Sequence, residues 1–205
     1  MNHSIQNAIE TRTSVNHFQP DRPLEDGVIE YLISQASKAP TAYNLQNWKF
    51  VAVRSPDAKS RLKSAAYGQQ KIVDASVAFI ICGTLEAYSQ LASALQPSVG
   101  AQIMEQRIVD GWVAQATATH KDNPVLQRDE AVRSASLAAM TLMLAAQGMG
   151  LGSCAMSGFD AQQVSRAFEL SATELPVMIV TVGHATDNNG SQKPRRALTE
   201  VLSIV

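Results

Sequence analysis

The sequence predicts one domain of three layers, α+β or α/β, and three observations point there. The runs "VAFIIC" (77–82) and "MIVTV" (178–182) are apolar at nearly every position, as strands covered on both faces are. Stretches with helical spacing separate them, which calls for helices packed on a sheet. At 205 residues the chain can bury one substantial core, and it shows no internal repeat, low-complexity tract or linker, so residues 1–205 form a single domain.

The elements follow in order. A first helix is expected over Ile5 to Glu10. A second begins after Pro23, with Glu25 and Asp26 at the positive end of its dipole and Val28, Ile29, Leu32, Ile33 and Ala36 on one face. Pro40 must end it. "WKFVAV" (48–53) reads as a strand and "SPDAKSRLKSAA" (55–66) as a capped helix. Two long helices are expected at about Val99 to Thr119 and Arg128 to Gly148, divided by "HKDNP" (120–124). The second is apolar nearly all round, so protein must enclose it, within a core or between subunits.

Composition narrows the function. Lys and Arg number 17 against 18 Asp and Glu, for a net charge of -1, and they are scattered singly. That leaves no basic stripe for nucleic acid or anionic lipid and favours a small-molecule partner. "MNHSIQNAIETR" lacks the apolar core of a secretory signal, and "ASLAAMTLMLAA" (135–146) is too short to span a bilayer, so a soluble cytoplasmic protein is expected. Cys82 and Cys154 sit in apolar surroundings without CxxC spacing, which argues against a disulfide or zinc framework and suits a reducing cytosol. His3, His17, His120 and His184 have no acidic or cysteine neighbours at ligand spacing, so no metal site is expected. Ser153 and Ser157 lie outside any GxSxG elbow. "GMGLGSC" (148–154) follows a helix where a dinucleotide loop must follow a strand, so it reads as a helix C-cap and tight turn.

Three polar segments remain. In "APTAYNLQNWKFVAV" (39–53), Asn44, Gln46 and Asn47 carry amides that both donate and accept, as a planar heterocycle requires. Alone, the segment reads first as a capping loop in which Thr41 and Asn44 satisfy free backbone groups. "ETRTSVNHF" (10–18) holds Arg12, Thr13, Ser14 and Asn16, and "QKPRRAL" (192–198) holds Lys193, Arg195 and Arg196. Each cluster is either a solvated patch or half of a site for a phosphorylated heteroaromatic cofactor, since guanidinium forks match phosphate oxygens.

"TRTSVNHF", "APTAYNLQNWKFVAV", "AAYGQQKIVDASVAFIICG", "GMGLGSCAMSGFD" and "VMIVTVGHAT" occur in the order and spacing of the FMN-dependent nitroreductase family. Over nearly its whole length the chain resembles the short bacterial NAD(P)H nitroreductase-like members, including those linked to quinone detoxification. The resemblance implies a nitroreductase-like three-layer α/β/α sandwich with a mixed, mostly antiparallel sheet. It also implies an intertwined homodimer with FMN at the subunit interface, which the 128–148 helix helps to form.

By the same resemblance, Arg12, Thr13 and Ser14 approach the FMN phosphate, and Asn16 stands where the family often has arginine or lysine. Asn44 and Gln46 reach ring or ribityl groups of a cofactor held mainly by the partner, and Asn47 replaces a common proline. The backbone at Met156, Ser157 and Gly158 faces the flavin ring, with Ser157 where some members carry glutamate. Lys193 and Arg195 match the phosphate-binding pair, and Arg196 is the alternative one position along. No catalytic side chain is implied, because the flavin carries the chemistry: NADH or NADPH gives hydride to FMN, and a nitroaromatic, quinone or similar acceptor takes the electrons. Two other readings stand beside this one, a flavin-holding protein without productive turnover and, disfavoured by its glycines, a conventional nicotinamide dehydrogenase.

Overall fold

The structure, a computed structural model, describes residues 5–205, so His3 lies outside the described residues. Its helices are α1 (Ile5–Thr11), α2 (Asp26–Ala36), α3 (Pro56–Ala65), α4 (Lys71–Asp74), α5 (Leu91–Gly100), α6 (Gln106–His120), α7 (Pro124–Gly148), α8 (Ala161–Ala167) and α9 (Leu198–Val201). Among the described residues four strands, β1 (Trp48–Val53), β2 (Val77–Thr84), β3 (Gly152–Met156) and β4 (Glu174–Gly183), pair in the order β1-β2-β4-β3. Every strand pair is antiparallel, and a parallel element enters through the bridge between Ser14 and Ser153.

Period-two alternation explains the unbroken apolar runs. Phe79, Ile81, Val180 and Val182 point to one face of the sheet and pack with Leu32 and Ala36 of α2 and Ala135, Ala138 and Leu142 of α7. Ala78, Ile80, Cys82 and Ile179 point to the other, against Leu62 of α3, Ile72 of α4 and Val164 of α8. Fully burying each large side chain contributes about 1.5–3 kcal/mol. The result is an α/β/α sandwich. A separate cluster, built on Leu91 and Leu95 of α5 and Val109 and Ala116 of α6, holds Leu45 and so anchors the polar loop ahead of β1.

Local chemistry sets the helix ends. Ser55 Oγ accepts from Ala58 N at 3.2 Å with Pro56 in the first turn of α3, and Asn123 Oδ1 accepts from Leu126 N at 3.1 Å with Pro124 in the first turn of α7. "NP" within "HKDNP" is therefore a start signal, and α7 begins four residues before the Arg128 expected from the sequence. The helix expected over Val99 to Thr119 is two helices. Gln102 adopts a left-handed φ of 59°, and the Ile103 and Met104 amides turn back to Ser98 O at 2.9 and 3.2 Å, which breaks the chain between α5 and α6. Gly150, at φ 74°, closes α7 while Leu151 N returns to Ala146 O at 2.9 Å, so "GMGLG" is a C-cap that delivers β3 to the sheet edge.

Helix α7 lies close on β2 because both surfaces are small there. A Cβ on Gly83 would sit 2.5 Å from the Ala131 carbonyl oxygen. Gly83→Ala should therefore lower stability by about 1–3 kcal/mol, read as a reduced denaturant midpoint; an unchanged midpoint would contradict this packing. Lys49 of β1 also reaches Glu174 of β4 at 2.7 Å, and chiefly through that hydrogen bond the Glu174 carboxyl is held below its ordinary value. A depressed carboxylate stabilises the fold above its unfolded pKa and loses that contribution as pH falls through its folded value. The stability gap between wild type and Lys49→Met should thus narrow below about pH 4, and a gap constant with pH would contradict it.

Candidate functional site

Strand β3 is an edge strand, and the chain uses its free side to bring its two ends together. Ser14 bridges Ser153, Val15 N donates to Ser153 O at 3.0 Å, and Phe18 bridges Ala185. Asn189 then joins the segments: its Oδ1 accepts from the Asn16 and His17 amides at 2.8 and 3.0 Å, and its Nδ2 donates to His17 O and Thr186 O at 2.8 and 2.9 Å. Gln192 Nε2 donates to Arg12 O at 3.1 Å. These bonds lay residues 189–195 over residues 12–17.

Between the segments lies a cavity of about 150 Å3, walled by Arg12, Thr13, Ser14, Asn16, Lys193 and Arg195 with the 190–192 backbone. Two clusters that are far apart in sequence thus form one site. The guanidiniums of Arg12 and Arg195 each donate to a nearby carbonyl, Thr13 O at 3.2 Å and Lys193 O at 2.5 Å, and among the described residues no carboxylate lines the cavity. Arg196 turns away to Glu200 at 3.1 Å. Its neighbour Arg195 is the one that faces the cavity.

Lys71, which the sequence reading did not single out, completes this end of the site. Its Nζ lies 2.6 Å from Asn16 Oδ1 and 3.6 Å from Cys154 Sγ, so a cation stands beside Asn16. Only folding shows this contact: α4 is a four-residue helix, and although it lies within the quoted segment "AAYGQQKIVDASVAFIICG", nothing there marks Lys71 as a neighbour of Asn16. Further along β3, Met156 is buried while Ser157 and Gly158 are exposed where the chain leaves the strand, and Gly158 O accepts from Gln69 Nε2 at 2.8 Å. Residues 69–71 therefore flank β3 from Cys154 to the Gly158 that follows the strand.

Asn44 and Gln46 are not among the residues that line this cavity. Gln46 faces a different cleft, with Thr84, Glu86, Gln90 and Thr173. Their loop is strained, with Tyr43, Asn44 and Gln46 at φ of 52°, 57° and 48°. Thr41 Oγ1 accepts from Gln46 N at 3.0 Å, and Trp48 N donates to Gln46 O at 2.8 Å. Thr41 does the work of a capping residue, while exposure alternates: Asn44 and Gln46 face out, Leu45 and Asn47 face in.

Other chemistries find little footing. Burial pushes the Cys82 thiol up to about 12, so it is not a nucleophile at neutral pH. Among the described residues no group of three or more His, Cys, Asp and Glu could hold a metal ion, and no helix is long and apolar enough to cross a membrane.

The model of the Nitroreductase family matches residues 9–184. The chain belongs to the nitroreductase family. MhqN of Bacillus subtilis (strain 168), provisionally named an NAD(P)H nitroreductase, is 32% identical over 188 residues, which are 91% of this chain and 90% of MhqN. Among solved structures, the provisionally named nitroreductase ydfN of Bacillus subtilis is 30% identical with a TM-score of 0.91, covering 98% of both chains. A provisionally named nitroreductase from Exiguobacterium sibiricum 255-15, in complex with FMN, has a TM-score of 0.91 at 22% identity over 98% of this chain and 97% of its own. The α+β architecture is the nitroreductase fold.

The joint between the chain ends is testable by itself. Asn189→Ala removes the acceptor of the Asn16 and His17 amides, so their hydrogen-exchange protection should fall about tenfold or more. Unchanged protection at both amides would show that something else holds the segments together.

Proposed function

We propose that this nitroreductase-family chain is an FMN-dependent NAD(P)H oxidoreductase that reduces nitroaromatics, quinones or related electron-poor acceptors as a homodimer. The observation that carries the proposal is the cationic cavity, free of carboxylates among the described residues, on the free side of β3, the strand that ends at the exposed Ser157 and Gly158. The donor set fits a phosphomonoester: Arg12, Lys193 and Arg195 supply positive charge and Ser14 a hydroxyl. Bound FMN would supply hydride acceptance from NADH or NADPH and delivery to the acceptor.

The chain's own residues bind and orient. Thr13 and Ser14 line the cavity, the cations would hold its anionic occupant, and the 156–158 backbone would lie against a planar ring. The ammonium of Lys71, 2.6 Å from Asn16, would supply beside Asn16 the charge that Asn16 itself lacks. A flavin-holding protein without turnover drew its support from Asn16 and Asn47. Lys71 supplies a cation beside the first of these.

Exposed apolar side chains support the dimer. Ile5 and Ile9 of α1, Leu137 and Met140 of α7, and Leu198, Val201, Leu202, Ile204 and Val205 at the C-terminus are all exposed, and α1 packs on α7. Such adjoining surface favours a second copy. Asn44 and Gln46, exposed and outside their own chain's cavity, would then serve the partner's cofactor. Two free, buried cysteines suit a reducing cytoplasm.

The test is FMN titration followed by steady-state turnover of quinones and nitro compounds with each nicotinamide. Because hydrogen bonds to charged groups contribute about 1.5–3 kcal/mol, Arg12→Ala or Arg195→Ala should weaken FMN binding by roughly ten- to a hundred-fold. Equal affinity in both variants would displace the phosphate from this cavity. Bound flavin with no acceptor reduced would favour the flavin-holding alternative.

A further inference from the structure

Asn47, where the family commonly has proline, is 3% exposed, and its Oδ1 has no hydrogen-bond partner. His120, at the end of α6, is 4% exposed, and its Nε2 has none. Both residues line one small cavity, together with Leu45, Thr84, Glu86, Ala87, Tyr88, Gln127 and Glu130. An orphaned buried polar atom destabilises the fold, and two on one cavity wall imply a shared partner.

The chemistry of the two atoms identifies that partner. His120 Nδ1 lies 2.9 Å from Ala116 O, which only accepts, and 2.9 Å from Thr119 Oγ1, whose own proton goes to Gln115 O at 3.0 Å, so Nδ1 carries the proton and Nε2 presents a lone pair. Asn47 Oδ1 is likewise an acceptor. Two acceptors need a donor with two protons. The cavity offers about 10 Å3 to a water centre, close to the least volume that holds one water. Gln127 and Glu130 on the same wall have partners of their own: Gln127 Oε1 accepts from Glu86 N at 3.0 Å, Gln127 Nε2 donates to His120 O at 2.8 Å, and Glu130 pairs with Arg133. A metal ion is a poor alternative, since no group of three or more His, Cys, Asp and Glu is gathered here among the described residues.

We propose that one buried water donates to both Asn47 Oδ1 and His120 Nε2, and that this joint makes His120 and Asn47 positioning residues for the loop carrying Asn44 and Gln46. The loop needs such support. Three of its residues have left-handed φ, a conformation that persists only where the surroundings enforce it. Around the joint, the His120 ring meets Tyr43 edge-on at 6.3 Å and Tyr88 at 6.3 Å, and Tyr43 meets Trp112 at 6.0 Å. Asn47 O also accepts from Thr84 N at 2.9 Å, which fixes the loop's far end to β2. Tyr43 and Asn47, clamped on opposite sides of Asn44 and Gln46, leave those two amides little freedom. The effect on the cofactor rests on the function proposed above; the water itself does not.

A double-mutant cycle over Asn47→Leu and His120→Phe tests both parts. On the FMN-free chain each single variant should lower Tm by roughly 2–8 °C, because one acceptor is left orphaned. The double variant leaves none, so its loss should be well below the sum. Additive losses would overturn the water. On the FMN-loaded chain, both single variants should shift the visible spectrum and midpoint potential of the flavin that stays bound, and His120→Gln, whose amide oxygen can stand in for Nε2, should restore them. A spectrum and potential unmoved in both single variants would overturn the positioning role. If wild type binds no FMN, the functional proposal fails, while Tm coupling in the FMN-free chain still decides the water.

Discussion

The candidate site depends on one joint, the docking of residues 185–195 against residues 14–18 at the free edge of β3. Arg12 and Arg195 line one cavity because the Ser14–Ser153 and Phe18–Ala185 bridges and the three hydrogen bonds from Asn189 to Asn16 and His17 bring the chain ends together. Closing so long a loop costs little more than closing a short one, since the entropy grows only with the logarithm of length. Three cations line one cavity with no carboxylate among the described residues, so the joint gathers positive charge that suits an anionic ligand.

The sandwich keeps that joint in register. Strand β3 pairs with β4 through Met156↔Ile179, and β4 is covered on both faces, so the strand that carries the site cannot shift without exposing core. Helix α7 approaches through alanines, and its capping turn at Gly150 launches β3 directly. The opposite layer has a second role. It places α4 so that Ile72 is buried in the core while Lys71 reaches Asn16.

Much of this was legible in the sequence, for physical reasons. Strands buried on both faces must be apolar throughout, so "VAFIIC" could be read directly. The prolines and the Gly150 turn marked helix ends with equal clarity, although Pro124 announced a start where a divider was read. The break between α5 and α6 was hidden because it rests on a left-handed Gln102, a residue without turn character. At the site, cations and amides stood out by type. Lys71 and Asn189 did not, since each acquires its role from a partner far along the chain. Asn47 was read with the amides that would face a heterocycle and as a departure from a common proline; in the fold it is buried, and it lines the cavity it shares with His120.

The central claim is that the two chain ends form the seat of the FMN phosphate. The most direct measurement is a crystal structure of the protein grown with FMN. The account predicts the phosphate between residues 12–14 and 193–195, within hydrogen-bond reach of Arg12, Ser14 and Arg195, with the ring toward Gly158 and Asn44 or Gln46 of a second copy beside it. A phosphate seated elsewhere, or a flavin that leaves the Arg12 and Arg195 cavity to solvent, would contradict it.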